Sequence, residues 1–284
     1  MAFHCVNDGV PESTTRLLRE ACASRGVEYV EIHAPLFDYR DERQLQPGDL
    51  LYRPAISITA IRVEQFLYAD GVSTFYADPE GIYFSPMAAS LLFQRAGLDI
   101  PLTFFCPTPD RQLLSGYVDR LGGFPVVVKM LGYSRGIGVI RVDSLPALYS
   151  VMDFATAEGK TPQLMAYVDE AVHWRLTVVG DRVASAYRNT QEADDFRTYA
   201  GENRDDYTAP VPPGMADLAV GAVRALRYEF GGVDVLQHPS GRLYLLESNF
   251  PCYFATAQEA IGTDIAGMMV EHLMAKSAKL TGRD

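Results

Sequence analysis

The stretch GGVDVLQHPSGRLYLLESN, residues 231–249, decides how this chain reads. Residues 232–236 and 242–249 are rich in Val, Leu and Tyr, and HPSG between them supplies the Pro and Gly of a turn. The reading is two short strands joined tightly. If the turn pairs Gln237 with Arg242, Asp234 stands opposite Leu245. Side chains alternate across a strand, so Asp234, Leu245, Glu247 and Asn249 then share one face. Glu247 becomes the diagonal neighbour of Asp234, roughly 7–8 Å away between Cα atoms. Two carboxylates and an amide oxygen form a hard, all-oxygen donor set, which Mg²⁺ takes together with phosphate oxygens. The plainer alternative is an exposed hairpin whose polar face meets water.

Upstream, residues 174–179 and 182–188 are joined by Gly180-Asp181, and a two-residue Gly-X loop signals a hairpin. Pairing Val179 with Arg182 places His173 opposite Arg188 and Arg175 opposite Ala186, with His173, Arg175 and Arg188 on one face. Adjacent guanidinium groups repel unless an anion lies between them, so this face reads as an anion site. The competing reading pairs the arginines with the acids of 192–206. Residues 191–213 are polar and irregular and include Asp194, Asp195, Arg197, Glu202, Asp205 and Asp206. A loop that long suits a lid or a substrate site. Helices are expected over 215–228, with Leu218, Ala222 and Leu226 inward, and over 262–277, with Ile265, Met268, Met269, His272 and Leu273 inward.

Further upstream, PVVVKMLGYSRGIGVIRV, residues 125–142, reads as strand, glycine-rich tip, strand. Lys129 shares the face of Val127 at the base of the tip. Gly132, Gly136, Gly138 and Ser134 let backbone N–H groups approach an anion closely. The spacing is neither of the common phosphate-binding fingerprints, because no helix follows directly. An ordinary turn is the plainer reading; the lysine argues for phosphate. Helices are expected over 111–121 and 146–157, and strands over 101–105 and 163–168, the latter followed by Asp169-Glu170. A helix opens at Ser85-Pro86, with Met87, Leu91, Leu92 and Ala96 apolar. Before it, strands at 2–7, 27–33, 49–52 and 73–76 alternate with helices at 13–24, capped by Ser13 or Thr14, and 57–69. That alternation implies a small parallel α/β unit ending near residue 85. The expected division is therefore 1–85, 86–165 and 166–284.

Composition bounds the possibilities. The chain has 284 residues, 48% hydrophobic and 21% charged, enough for two or three cores. Its net charge of −11 argues against a nucleic-acid partner and suits an enzyme of small molecules. Apolar runs such as 125–128 and 176–179 are too short to span a bilayer. The start at Met1-Ala2-Phe3-His4 leads straight into a strand with no signal peptide. Cys5, Cys22, Cys106 and Cys252 are scattered, which fits reduced thiols in a cytoplasmic protein.

Taken together, the order of parts resembles a known family. A lysine strand, a glycine loop, a linker strand, an arginine hairpin and then D…E-x-N resemble the ATP-grasp fold, an α/β (α+β) architecture of three subdomains. The closest likeness is to its carboxylate–amine ligases, such as the ribosomal-protein S6 glutamate ligase and the lysine-biosynthesis ligase. GGFPVVVKMLGYSRGIGVI, VVGDRVASAYRN, DDFR, GGVDVLQHPSGRLYLLESN and IGTDIAGMMVEHL carry it, and YRPAISIT is similar to the family's amino-terminal unit. The resemblance implies ATP and Mg²⁺ as cofactors, two ions being usual and Mn²⁺ an acceptable substitute. It implies that Lys129 holds the α/β-phosphates and that the loop with Gly132, Ser134, Arg135, Gly136 and Gly138 closes over the γ-phosphate. Gln163, Met165, Ala166 and Tyr167 would lie along adenine, with Leu246 lining its pocket, and Arg175 would be among the nucleotide-binding residues. His173, or Glu170 in its place, would stand at the ribose. Arg188 and Arg197 would face the migrating phosphoryl group, and Asp234, Glu247 and Asn249 would hold the metal. A homo-oligomer, dimer or tetramer, is implied as well. Three departures stand out: Phe84-Ser85-Pro86-Met87 lacks the family's second lysine, His173 replaces an acidic residue, and Met165-Ala166 replaces Gln-Glu. The expected activity is ATP-dependent amide formation through an acyl phosphate. A peptide-modifying or D-alanine–D-alanine-like ligase, and a nucleotide-sensing protein without ligase activity, are the alternatives.

Overall fold

The computed structural model describes residues 1–282 apart from 41–44, 85–88, 106–107, 131, 133–135, 192–194 and 202. The chain opens with β1 (Ala2–Asn7), α1 (Glu12–Ser24), β2 (Glu28–His33), β3 (Leu50–Tyr52) and α2 (Ile58–Leu67). β1 is the middle strand of a parallel sheet ordered β2-β1-β3. α1 crosses between β1 and β2 and buries Leu17, Leu18, Ala21 and Cys22. Its N-cap is Pro11 with no side-chain cap, which corrects the expectation of Ser13 or Thr14. Proline enters the first turn with its φ already set, and Thr14 is drawn into the interior instead. α2 is capped as its sequence suggests, Ser57 Oγ accepting from the Ala60 N–H. The strand expected at 73–76 is reduced to isolated bridges, Leu50 with Ser73 and Tyr76 with Tyr228.

Next come α3 (Ala89–Arg95), β4 (Thr103–Phe105), α4 (Arg111–Leu121), β5 (Val126–Met130), β6 (Val139–Val142), α5 (Leu145–Ala157) and β7 (Pro162–Ala166). The helix start expected at Ser85-Pro86 lies outside the described residues. The strands form an antiparallel sheet ordered β4-β7-β5-β6. Asp110 and Ser144 cap α4 and α5. Val126, Val128 and Leu164 pack on Leu114, Leu148 and Met152 in a core that belongs to this unit alone. Alternation leaves Val127 and Lys129 on the open face.

The remainder is β8 (Val172–Val179), β9 (Arg182–Gln191), β10 (Thr198–Ala200), α6 (Arg204–Thr208), α7 (Met215–Ala225), β11 (Phe230–Gln237), β12 (Leu243–Asn249), α8 (Ala255–Ile261) and α9 (Ile265–Thr281). The polar stretch expected to be irregular thus contains β10 and α6, and α8 has no counterpart in the sequence reading. The strands form a sheet ordered β10-β9-β8-β11-β12. Its inner face, Trp174, Leu176, Val178, Val233, Val235 and Leu245, packs on α7 and on Phe93 of α3. The opposite face divides in two. Val179, Ala184 and Phe230 enter a core shared with Phe3, Tyr52, Phe75 and α9, whereas His173, Arg175, Asp234 and Glu247 are left towards the open end. Each buried aliphatic or aromatic side chain of the shared core contributes roughly 1.5–3 kcal/mol. The amino-terminal sheet is therefore fastened to the carboxyl-terminal one by apolar packing.

Candidate nucleotide and metal site

The register of the two hairpins sets the site, and in both a β-bulge departs from strict alternation. β11 and β12 pair Asp234 with Glu247, but Val235 with Leu245, so Leu246 is an extra residue. This corrects the expected pairing of Asp234 with Leu245. The turn pairs Gln237 with Leu243, not with Arg242 as expected. This one-residue slip sends Leu245 to the α7 core, where it is 1% exposed; the bulge then brings Glu247 directly opposite Asp234.

In the β8–β9 hairpin the Gly180-Asp181 loop pairs Val179 with Arg182 as expected, but Ser185 faces Thr177 while Val183 faces Val178. Ala184 is the extra residue. Beyond it the parity changes, so Trp174, not His173, faces Arg188, and Arg175 faces Tyr187, not Ala186. Arg188 therefore does not share the face of His173 and Arg175; that expectation is corrected. It pairs with Asp206 of α6 at 3.0 Å, an acid of the following segment, as the competing reading had it. Its Nε is buried without a hydrogen-bond partner.

Arg175 has its own counter-ion. Its Nη1 donates to Asp234 Oδ2 at 2.5 Å, and His173 Nε2 lies 3.1 Å from Asp234 Oδ1. Burial alone would raise the Asp234 carboxyl, but the Arg175 charge and the His173 hydrogen bond outweigh it and hold the group at about 2. Burial would lower the Arg175 guanidinium, and the Asp234 charge overcomes that too. Gly232 makes the pair possible: a Cβ there would stand 2.2 Å from Arg175 Nη2. His173 Nδ1 meets Thr198 Oγ1 of β10 and lies 3.4 Å from Asn189 Nδ2. Asn189 Oδ1 is buried without a partner. Sequence reading overlooked Asn189 and Thr198, because the first reaches this face only through the bulge and the second sits on a three-residue strand.

Lys129 crosses from the central sheet to ion-pair with Glu247. Asn249 Nδ2 donates to the other Glu247 oxygen at 2.8 Å. The glycine tip closes on β10: Arg197 Nη1 donates to the Gly136 carbonyl at 3.3 Å, and a Cβ at Gly136, where φ is +71°, would meet Arg197 Cδ at 3.1 Å. Arg197 is steadied by Asp195, with hydrogen bonds of 2.5–2.9 Å. Those bonds hold the Asp195 carboxyl at about 2. Gly132 and Gly138 also have positive φ; Ser134 and Arg135 lie outside the described residues. The structure thus brings Lys129, Gly136, Arg197, Glu247, Asn249, Asp234, Arg175 and His173 to one cleft.

The linker is more committed than expected. Gln163 is buried and donates to Ser90 Oγ at 3.1 Å. Met165 pairs with Val127, and the Ala166 N–H goes to the Leu102 carbonyl. The Tyr167 ring carries Arg141 4.7 Å from its centroid. Glu170 is exposed with φ +51°. A cleft of about 760 Å³ opens beside Ala166, Tyr167 and Tyr244, next to the linker, and neither Asp234 nor Glu247 lines it.

Could these groups hold a metal? Among the described residues no cluster of three or more His, Cys, Asp or Glu forms a ready-made metal centre. Asp234, Glu247 and Asn249 nevertheless offer only oxygen donors for a hard cation, and the Lys129 ammonium already answers the negative charge of Glu247. The donor set fits Mg²⁺ completed by phosphate oxygens. A cysteine nucleophile does not fit: Cys5, Cys22 and Cys252 are free and buried, and burial pushes the Cys252 thiol up to about 12. Cys106 lies outside the described residues. Among these residues no helix is long and apolar enough to cross a membrane.

Comparison with known proteins shows which family and fold the chain shares. The family model for the RimK-like ATP-grasp domain matches residues 87–273. A probable alpha-L-glutamate ligase of Photobacterium profundum is 28% identical over 288 residues, covering 95% of this chain and 94% of the relative. Another, from Parasynechococcus marenigrum, is 29% identical, and the chain spans about half of it, 48%. A ribosomal protein bS6–L-glutamate ligase of Escherichia coli is 31% identical over 63% of this chain and 59% of the relative. Among solved structures, the ATP-grasp ligase PsnB complexed with a minimal precursor superimposes with a TM-score of 0.70 at 15% identity, over 97% of this chain and 99% of that one. D-alanine–D-alanine ligase of Bacillus anthracis complexed with ATP gives 0.66 at 15% identity over 100% and 99%. Both share the fold.

Proposed function

The chain belongs to the RimK-like ATP-grasp family, and on that premise we propose that it is an ADP-forming carboxylate–amine ligase acting on small or amino-acid-like substrates. The observation that carries the reading is the Lys129–Glu247 contact, which joins the glycine-loop sheet to the carboxylate hairpin across one cleft. Such a ligase moves the γ-phosphoryl group of ATP onto a carboxylate, releasing ADP, and the amine then displaces phosphate from the acyl carbon. The work of the protein is positioning and charge stabilisation.

In this reading Lys129 leaves Glu247 for the α/β-phosphates, and the backbone around Gly132, Gly136 and Gly138 covers the γ-phosphate. Arg197, already against Gly136, offsets charge on the migrating group; Arg188, turned from this face and paired with Asp206, is not given that role. Tyr167, rather than Ala166, supplies the N–H for the adenine edge, Leu246 lines the ring, and His173 or Glu170 serves the ribose. Arg175 keeps Asp234 ionised. Asp234, Glu247 and Asn249 would hold Mg²⁺, one ion or two, with Mn²⁺ able to replace it; when bound it supplies charge neutralisation at the phosphate oxygens. The units 1–85, 86–165 and 166–284 would contribute substrate binding, phosphate cover and metal ligation respectively. Unpaired thiols suit a cytoplasmic setting, and a homo-oligomer is the proposed assembly.

ADP release over a panel of carboxylates and amines tests the reading. Glu247→Ala and Asn249→Ala should abolish turnover while the thermal unfolding profile is retained, and Arg197→Ala should lower kcat on the order of 10²–10³-fold. Normal turnover in the Glu247 and Asn249 variants would remove the metal assignment.

A further inference from the structure

β3 ends at Tyr52, and Arg53 follows at the carboxyl edge of the parallel sheet, where open α/β sheets hold their ligands. Phe250 and Pro251 follow directly after the metal-strand residue Asn249. Between these two segments lies an open cavity of about 160 Å³, with Ile61, Ile82, Phe84 and Phe250 on its apolar side and Arg53 and Gln65 on its polar side. A space of roughly 150 Å³ is large enough for a benzene ring. The walls are braced: Tyr228 and Phe250 stack at 4.6 Å, and Tyr76 meets Phe250 edge-on at 5.1 Å. The rim is apolar and open, with Ile56 70% and Phe84 71% exposed. Neighbouring large apolar side chains kept in water mark a place of contact.

The main polar groups of this pocket are paired with one another. Arg53 Nε donates to Glu64 Oε2 at 2.7 Å, its Nη1 donates to the Ala55 carbonyl, and its Nη2 lies 3.4 Å from the Tyr76 hydroxyl. The Tyr76 hydroxyl donates in turn to Glu64 at 3.0 Å. Gln65 Nε2 is given to the Ile82 carbonyl. A second carboxylate entering here would lose its water and meet an arginine whose charge Glu64 already balances, beside the like charge of that carboxylate. An apolar group meets no such cost.

We infer that this cavity is a selectivity pocket that takes an apolar side chain, branched aliphatic or single-ring, of an amino-acid substrate, and that it turns away an acidic one. The purpose of the pocket rests on the ligase reading; its preference rests on its own lining. Free L-phenylalanine, L-leucine and L-glutamate carry both reacting groups and differ only in side chain, so they serve as probes. Titrated by calorimetry or saturation-transfer NMR against the full chain, phenylalanine or leucine should bind at least about tenfold more tightly than glutamate. Ile61→Trp, which fills the cavity, should weaken the apolar probe about tenfold or more. Phe84→Ala, which trims an exposed wall and spares the fold, should weaken it by a smaller factor. Glutamate binding at or above the apolar level, no binding of either apolar amino acid, or affinity unmoved by both variants would overturn the inference. Apolar binding as expected with no heat from Mg·ATP would leave the pocket standing and remove the ligase reading; the reverse result would do the opposite.

Discussion

At Asp234 one buried carboxylate answers two neighbours, Arg175 and His173. The Arg175 and Asp234 side chains are 16% and 10% exposed, so water screens them little. Removing one partner of a buried ion pair strands the other, at a cost of about 3–5 kcal/mol. Asp234→Asn should therefore lower unfolding stability by that order in urea titration, whereas Lys129→Ala, whose partner Glu247 is 38% exposed, should change it by less than about 1 kcal/mol. Equal losses would show that the two pairs are not distinguished by burial. Most residues of this cluster were legible from residue type and spacing: Lys129 at the loop base, Asp234 and Glu247 across a turn, Arg175 on the neighbouring strand. Asn189 and Thr198 were not. Neither belongs to a periodic pattern, and their place beside His173 depends on contacts made across three strands.

The elements explain why side chains landed on unexpected faces. Period-two alternation carries the hydrophobic phase of a strand but not the one extra residue of a bulge. Ala184 and Leu246 are such residues, and each reverses the parity of everything beyond it. The Ala184 bulge moved Arg188 away from Arg175, and Leu245 entered the core because the turn pairs Gln237 with Leu243 instead of Arg242. Short elements escaped for another reason: β10 has three residues, and α6 and α8 have five and seven, too few for a helical or strand period to show. Longer ones were plain, α4 running over Arg111–Leu121 as the sequence indicates. Gly232 tests the packing of β11 on β8. Gly232→Ala places a methyl group 2.2 Å from Arg175 Nη2, which must displace the guanidinium from Asp234. A destabilisation of about 1–3 kcal/mol is expected in urea titration, with a loss of ADP formation; an unchanged midpoint and full activity would mean that Arg175 has room to spare.

Across the whole molecule, attachment is uneven. The amino-terminal sheet shares a core with α9 and the carboxyl-terminal sheet. A polar clamp reinforces that junction, Lys276 Nζ donating to Glu229 and to the Thr74 and Tyr76 carbonyls at 2.6–2.9 Å, with His272 3.2 Å from Glu229. Burial would raise the Glu229 carboxyl, but the hydrogen bonds from His272 and Lys276 prevail and hold it below the usual range. A carboxyl whose folded pKa is depressed adds stability that is complete above its unfolded value, about 4.3, and is lost as pH falls through the folded one. The stability gap between the parent and Glu229→Gln, about 1–3 kcal/mol at neutral pH, should accordingly shrink as acid is added below about pH 4. A gap constant with pH would show that Glu229 titrates alike in both states. The central sheet, by contrast, has its own core and reaches the rest through polar contacts: Lys129 to Glu247, Arg197 to Gly136, and Gln163 to Ser90.

Those polar contacts face the cleft in which Mg·ATP is proposed to lie, so calorimetric titration of Mg·ATP into the parent, Lys129→Ala and Glu247→Ala chains probes both walls at once. Binding heat is predicted for the parent, with affinity at least about tenfold weaker, 1.4 kcal/mol or more, in each variant. A silent parent, or variants that bind as the parent does, would contradict the account.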